Sequence, residues 1–151
     1  MPISPEQIAK TGTESGHQRA FFSVLPRYWH DYPMLKWMHA IPNGGDRNMA
    51  VASNMKAEGV RAGVPDVCLP VARGGYHALY VEFKKPTRRR EKNGGLSDVQ
   101  LIFKNALTEL GNCVIVVYTW EEALSVTLKY LELPPDARQV EEHRGGILVT
   151  P

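Results

Sequence analysis

Two strand-like runs joined by a glycine turn constrain the fold of this chain more than any other feature of its sequence. Asp66–Val71 and His77–Lys84 are rich in apolar residues, and Arg73-Gly74-Gly75 lies between them. Short apolar runs separated by a glycine-containing loop predict a β-hairpin. We therefore expect these two runs to be neighbouring antiparallel strands.

The register of this hairpin decides which side chains meet across the two strands. A turn centred on Gly74 places Asp66 opposite Glu82 and Cys68 opposite Tyr80, and a bulge would shift this pairing by one residue. Directly opposed side chains in an antiparallel pair lie about 5 Å apart. The sequence thus predicts two carboxylates close together at one end of the hairpin.

Two opposed carboxylates repel each other unless a cation lies between or beside them. Side chains alternate along a strand, so Lys84 shares a face with Glu82 and joins Asp66 there. Mg²⁺ prefers oxygen ligands, often one or two carboxylates with water and a substrate phosphate. Taken alone, Glu82 and Lys84 are more typical of an exposed strand face with cross-strand pairs. The combination with Asp66 favours a phosphodiesterase-like metal site.

The remaining pattern predicts helices and strands on both sides of the hairpin. Helical spacing, caps and glycine stops predict a helix from Glu14 capped by Thr13, a strand at Lys36–Ile41, a helix at Met49–Glu58, a helix from Ser97 to Leu110, a buried strand at Val114–Tyr118 and a last helix to about Leu131. This order implies an α/β fold with a mixed central sheet of about four strands flanked by helices.

Composition supports one globular domain. The 151 residues are 43% hydrophobic and 23% charged, which is ordinary for a folded chain with a single core. We expect the domain to span 1–133 and a polar, loosely ordered tail to span 134–151. No apolar run approaches the roughly 20 residues that cross a bilayer, and no signal peptide is visible. These features predict a cytoplasmic protein.

The cysteines, histidines and tryptophans carry little functional signal. Cys68 and Cys113 each lie in an apolar run and are expected to be buried free thiols. The five histidines form no cluster with zinc-ligand spacing. Trp29, Trp37 and Trp120 are expected in the core rather than as platforms that stack on bases.

A basic segment follows the predicted metal-binding strand directly. The net charge of +2 is too small to indicate nucleic-acid binding by itself, but 84–92 holds six cations and one anion. Such a run is commonly a solvated loop. Its position beside the metal site favours contacts to DNA phosphates, which position a duplex without reading its sequence. The expected DNA-binding residues are Arg47, Arg61, Lys85, Arg88, Arg89, Arg90 and Lys92.

Pro65-Asp66 followed by Glu82-Phe83-Lys84 resembles the motif of the PD-(D/E)xK nuclease superfamily, and the element order is similar to its restriction-endonuclease-like core. More narrowly, the chain resembles a stand-alone VRR-NUC domain of the phage and bacterial type, over roughly 14–131. The carrying motifs are Ile41-Pro42-Asn43-Gly44-Gly45, Gly59-Val60-Arg61-Ala62-Gly63-Val64-Pro65-Asp66, Val81-Glu82-Phe83-Lys84, Leu96-Ser97-x-x-Gln100 and Gly111.

The resemblance implies a role for each matching residue. Asp66, Glu82 and the backbone carbonyl of Phe83 would bind Mg²⁺ or Mn²⁺, and Lys84 would act on the attacking water. Gln100 would reach the site from the following helix, although Ser97-x-x-Gln100 is also a capping box.

An acidic residue of the first helix would complete the metal shell. Glu14 matches that position, although a glutamate in a first turn is also favoured by the helix dipole. Glu6 is a weaker candidate for the same role.

The expected function is therefore metal-dependent, structure-specific cleavage of DNA, on four-way junctions or other branched DNA. Two symmetric incisions require two active sites, which predicts a two-fold homodimer with Phe21, Phe22 and Trp29 as candidate interface residues. A nicking or end-processing phage nuclease on the same fold is the first alternative. A DNA-binding module without catalytic activity is the second, and the intact Asp66, Glu82 and Lys84 argue against it.

Overall fold

A four-stranded mixed sheet organises the chain. The computed structural model describes residues 3–42 and 49–135. Its strands lie side by side in chain order: β1 His39–Ala40, β2 Val67–Leu69, β3 Leu79–Phe83 and β4 Cys113–Val117. The pairs β1–β2 and β2–β3 are antiparallel, and β4 runs parallel to β3. The expected α/β fold with a mixed central sheet is confirmed.

Helices precede, interrupt and follow these strands. The α-helices of the described residues are α1 Pro5–Ala9, α2 Glu14–Val24, α3 Met49–Ala57, α4 Asp98–Glu109 and α5 Trp120–Glu132. Short 3-10 turns cover Leu25–Tyr28, Pro33–Trp37, Pro86–Arg88 and Lys92–Gly95. None of these helices is both long and apolar enough to cross a membrane.

Polar caps fix where the long helices begin. The Thr13 hydroxyl accepts a hydrogen bond from the Gly16 amide at 3.0 Å and starts α2. Thr119 accepts from the Glu122 amide at 3.2 Å and starts α5 in the same way. Such caps satisfy amides that have no partner inside the helix. The predicted first residue of α2 is therefore confirmed.

The hairpin has the expected register in its strands. Cys68 pairs with Tyr80, and continuing this register by two residues places Asp66 opposite Glu82. Nearer the turn, Arg73 pairs with Tyr76 instead, which centres the turn between Gly74 and Gly75. The strand register thus matches the prediction although the turn lies half a residue further along.

The hydrophobic core lies on one face of the sheet, under α2 and α5. Phe83 of β3 points to this face, where its ring lies 5.9 Å from that of Phe21 on α2. Alternation sends the next side chain, Glu82, to the opposite face, where it meets Gln100 of α4. The sheet therefore separates an apolar core from a polar site.

The face under α4 is less completely covered, and this corrects one expectation. The predicted strand at Val114–Tyr118 exists as β4, but four of its five residues are only half-buried. Helix α4 buries none of its residues and leaves Val99, Ile102 and Leu110 exposed. A single helix cannot close this face as the α2–α5 pair closes the other.

Two further expectations about the first half of the chain are wrong. The predicted strand at Lys36–Ile41 is reduced to His39–Ala40, because Pro33 starts a 3-10 turn that runs through Trp37. Trp37 is 63% exposed and Trp29 39% exposed, so neither is a core residue. The edge position of β1 leaves this region without a covering layer.

The assignment of Phe21 to a dimer interface is also wrong. Its side chain is fully buried in the core between α2 and the sheet. The expected loose order of the tail concerns mostly 136–151, which lie outside the described residues. Of its first residues, Pro134 accepts a hydrogen bond from the Gly74 amide at 2.8 Å, so the chain leaves α5 beside the hairpin turn.

Two glycines between α3 and β2 have left-handed backbone for different reasons. Gly59 (φ +97°) ends α3 in a Schellman motif, with Gly59 and Val60 donating to the carbonyls of Lys56 and Met55. Gly63 (φ +88°) lies against α4, where an added Cβ would lie 2.6 Å from the Val99 carbonyl oxygen. An added Cβ at Gly59 would meet open space.

This contrast gives a matched pair of variants. Gly59→Ala should cost about 1 to 2 kcal/mol, because only the left-handed backbone opposes an L side chain there. Gly63→Ala should cost about a further 1 to 3 kcal/mol, because backbone atoms of α4 block the methyl group. Urea denaturation measures both. Equal destabilisation by the two substitutions would contradict the close approach of this loop to α4.

Candidate active site

The hairpin brings Asp66 and Glu82 together at the end where β2 begins and β3 ends. One carboxylate oxygen of Asp66 accepts a hydrogen bond from the Phe83 amide at 2.8 Å. In a β-strand the amide and carbonyl of one residue point to the same side. The Phe83 carbonyl therefore points toward the strand that Asp66 precedes, which is where the resemblance expects a backbone ligand.

The Glu82 carboxylate is buried and only half satisfied. Its Oε1 accepts from Gln100 Nε2 at 2.6 Å and lies 2.9 Å from the Lys84 ammonium. Within the described residues, its Oε2 is buried and has no hydrogen-bond partner. A buried polar atom left without a partner is costly and rare in folded proteins. This oxygen is the clearest sign that the site receives something from outside the chain.

Burial and charge both act on the acidity of Glu82. Its residue is only 4% exposed. Burial first, and the neighbouring Asp66 charge second, raise the pKa of Glu82 to about 7, although Lys84 acts in the opposite direction. Half of these carboxyl groups would thus carry a proton near neutral pH.

Gln100 performs both of the roles that its sequence position left open. Its Oε1 accepts from the Ser97 amide at 3.0 Å and completes the capping box of α4. Its Nε2 donates to Glu82. The helix cap therefore fixes the orientation of the amide that holds the buried carboxylate.

Glu14 lies at the edge of the same site. It is in the first turn of α2, its side chain is 38% exposed, and its Oε1 is 4.0 Å from the Lys84 ammonium. Glu6, the weaker candidate, lies on α1 and does not line the site. Within the described residues, no three His, Cys, Asp or Glu side chains converge tightly enough to enclose a metal by themselves.

The oxygen donors present fit a magnesium-type site. Mg²⁺ commonly takes only one or two carboxylates and keeps several waters. Asp66, the unpartnered Oε2 of Glu82 and the Phe83 carbonyl are the groups that could hold such an ion. Lys84 leaves Oε2 available because its contact is with Oε1.

A cleft of about 760 Å³ opens above these groups. Asp66 and Glu82 form its floor, α2 and α3 form two walls, and the start of α4 with Gln100 forms a third. Clefts of this size are typical of ligand sites. Glu14 and Gln18, one turn apart on α2, face it together.

The expected DNA-binding residues are divided by the structure. Arg61 lines the cleft, whereas Lys85, Arg88, Arg89, Arg90 and Lys92 do not. Arg47 lies outside the described residues.

Besides Lys84, two cations of the basic segment have partners within the protein. Arg88 pairs with Glu91 at 2.8 Å. Arg89 pairs with Glu122 of α5, and its guanidinium lies over the Tyr118 ring. The Arg89–Glu122 ion pair attaches the basic segment to α5, on the core side of the sheet.

Sequence reasoning missed two cations that line the cleft. Arg19 and Lys56 line the cleft from α2 and α3. The helical spacing that links Glu14 to Gln18 also links Ser15 to Arg19, so this signal was present in the sequence. His17 is buried on the opposite side of α2, where its Nδ1 accepts from the Trp120 amide at 3.2 Å. It joins α2 to the start of α5.

Comparison with known proteins identifies the fold. No family model matches the chain, and no curated protein matches it significantly. Among solved structures, a protein described as a VRR_NUC domain protein superposes with a TM-score of 0.59 at 23% sequence identity. The match covers 79% of this chain and 91% of that one. The chain therefore has the VRR-NUC fold, as its motifs indicated.

Metal binding at this site should depend on pH in a defined direction. Below the Glu82 pKa of about 7, an incoming cation must displace a proton. Affinity for Mn²⁺ should therefore rise by up to about tenfold per pH unit from about pH 5 to about pH 7 and then level off. Titration calorimetry measures it. A pH-independent affinity would contradict the assignment of Glu82 as a ligand.

A substitution at Gln100 separates its two roles in the same measurement. Gln100→Glu keeps an acceptor for the Ser97 amide but places a carboxylate beside Glu82, so the rise in Mn²⁺ affinity should move to higher pH. Gln7→Glu makes the same change in the capping box of α1, away from the site, and should leave the profile unchanged.

Proposed function

We propose that this protein is an endonuclease that hydrolyses phosphodiester bonds in DNA with Mg²⁺ or Mn²⁺. The observation that carries the proposal is the buried Glu82 carboxylate with its unpartnered Oε2, set beside Asp66 and paired with Lys84. Two further observations support it. A cleft opens above these groups, and the chain has the VRR-NUC fold, for which the sequence resemblance implies nuclease activity.

Each side chain has a distinct part in this chemistry. A bound divalent cation supplies Lewis-acid polarisation of the scissile phosphate and lowers the pKa of water. Asp66, Glu82 and the Phe83 carbonyl would hold it. Lys84, buried and hydrogen-bonded to Glu82, would orient the attacking water and offset the negative charge that develops on the phosphate.

Gln100 and Glu14 would act around this centre. Gln100 fixes the rotamer of Glu82 from the first turn of α4. Glu14, at the cleft edge, would complete the metal shell. If Glu14 stays 4.0 Å from Lys84, it would do so through a water molecule.

Branched or four-way-junction DNA is the substrate we favour, and family resemblance alone supports that choice. The alternatives are nicking or end-processing of phage DNA by the same site, and DNA binding without cleavage. The protein would act in the cytoplasm of a bacterium or a phage-infected host. Cleavage of linear duplex, flap, fork and four-way junction with Mg²⁺, against EDTA, separates these possibilities.

Glu82→Gln should abolish cleavage and leave DNA binding largely intact, because it removes a charged metal ligand but no phosphate contact. Lys84→Ala should lower kcat by about 10²- to 10³-fold at saturating metal and DNA, since its role lies near the transition state. Lys84→Arg should not restore kcat, because a planar guanidinium replaces a compact ammonium.

The exposed neighbour Lys85 provides the control for these variants. Lys85→Ala should leave kcat unchanged, because Lys85 is exposed and, among the described residues, makes no ion pair with Glu82 as Lys84 does. Full turnover in Glu82→Gln would falsify the metal site. If Lys84→Ala weakened only DNA affinity, Lys84 would be a phosphate contact and not a catalytic group.

A homodimer is the assembly we propose for junction cleavage, because the described residues form a single candidate site and two strands must be cut. Phe21 is excluded from the interface by burial, whereas Ile102 of α4 and Leu110, its C-cap residue, are exposed apolar residues beside the half-buried β4.

Helix α4 starts at the cleft, so an interface on its exposed face would lie beside the cleft of each subunit. Light scattering should show a dimer for wild type and a monomer for Ile102→Glu. A monomeric wild type that makes only single nicks would favour the nicking function.

A further inference from the structure

The floor of the cleft creates an electrostatic difficulty for its proposed substrate. Asp66, Glu82 and Glu14 contribute carboxylates to the cleft, and a DNA phosphate that enters it is also negative. Like charges at close range in a partly buried site repel each other strongly. Lys84 already contacts Glu82 at 2.9 Å and cannot serve the flanking phosphates as well. Other cations must do so.

Helix α2 supplies one such cation from the first wall. His17, Ala20 and Phe21 on one side of this helix are buried. Its other side, which includes Gln18 and Arg19, lines the cleft. The Arg19 side chain is exposed, and the core face of the same helix fixes its direction.

Helix α3 supplies a second cation to the lining of the cleft. Ala52, Met55 and Lys56 line the cleft, at the i, i+3, i+4 spacing of one helix face. This helix buries none of its residues, so it adds little to the core. Its contribution to the described structure is the wall that carries Lys56.

We propose that Arg19 of α2 and Lys56 of α3 bind the backbone phosphates that flank the scissile bond. Arg61, beyond the end of α3, would extend this contact. None of the three makes an ion pair within the described part of the chain. Arg88 and Arg89 of the basic segment, by contrast, are paired. The inference rests on the proposed function, because it takes DNA as the ligand.

These contacts would be positioning contacts, made equally before and during the reaction. Their loss should therefore raise KM with little effect on kcat. Arginine and lysine bind phosphate oxygens without reading bases, so the effect should be the same for every DNA sequence.

The test is the salt dependence of DNA binding in EDTA, where no cleavage occurs. Each lost phosphate contact lowers the slope of log affinity against log salt by about 0.9 for a duplex. The double variant Arg19→Gln/Lys56→Gln should thus lower the slope by about 1.8. Arg27→Gln/Lys129→Gln removes the same charge from exposed sites that do not line the cleft and should leave the slope unchanged.

A charge-retaining variant separates charge from side-chain shape. Arg19→Lys/Lys56→Arg should keep a slope near that of wild type. Thermal unfolding should show equal stability for all variants, because the substituted side chains are exposed.

Two different outcomes overturn the proposal in different ways. If wild type cleaves DNA with Mg²⁺ but the double glutamine variant keeps the wild-type slope, the contacts are wrong and the nuclease assignment stands. The same holds if the control variant lowers the slope equally. If wild type neither binds nor cleaves any DNA, the proposed function fails and the phosphate contacts fail with it.

Discussion

Burial of the Glu82 carboxylate is the constraint on which the rest of the site depends. A charged group this far from water needs partners, and the chain supplies them to one oxygen only, through Gln100 and Lys84. The opposed Asp66 makes the ionised form still less favourable. The protein thus holds an acidic group in a position that lowers local stability, which is common at functional sites.

The fold makes this arrangement possible by using the two faces of one sheet differently. Phe83 packs into the core beneath α2, while the adjacent Glu82 points into the polar layer under α4. The apolar side chains of β3 anchor the strand in the core. The strand can therefore hold an unfavourably buried carboxylate on its other face, because the packing of the core does not involve that carboxylate. Gln100 likewise serves two purposes, because its single amide both caps α4 and orients Glu82.

The cations that face the cleft are not those of the most basic segment of the sequence. The most basic segment of the sequence follows β3, yet Arg89 attaches it to Glu122 and Tyr118 on the core side. Single cations from two distant helices, Arg19 and Lys56, face the cleft instead. The density of charge along the sequence therefore drew attention to the basic segment. Which cations actually face the cleft depended on how the helices pack.

The sequence by itself determined the hairpin register, the helix starts and the pairing of Asp66 with Glu82, because these follow from local alternation, turn residues and caps. It also indicated the fold, since the Pro-Asp and Glu-x-Lys spacing is specific. Only the tertiary structure decided that Trp37 is exposed, that Phe21 is core, and that Arg19 and Lys56 share a cleft. Those facts depend on which layers meet across the sheet. Contacts between residues tens of positions apart leave no periodic trace in one sequence.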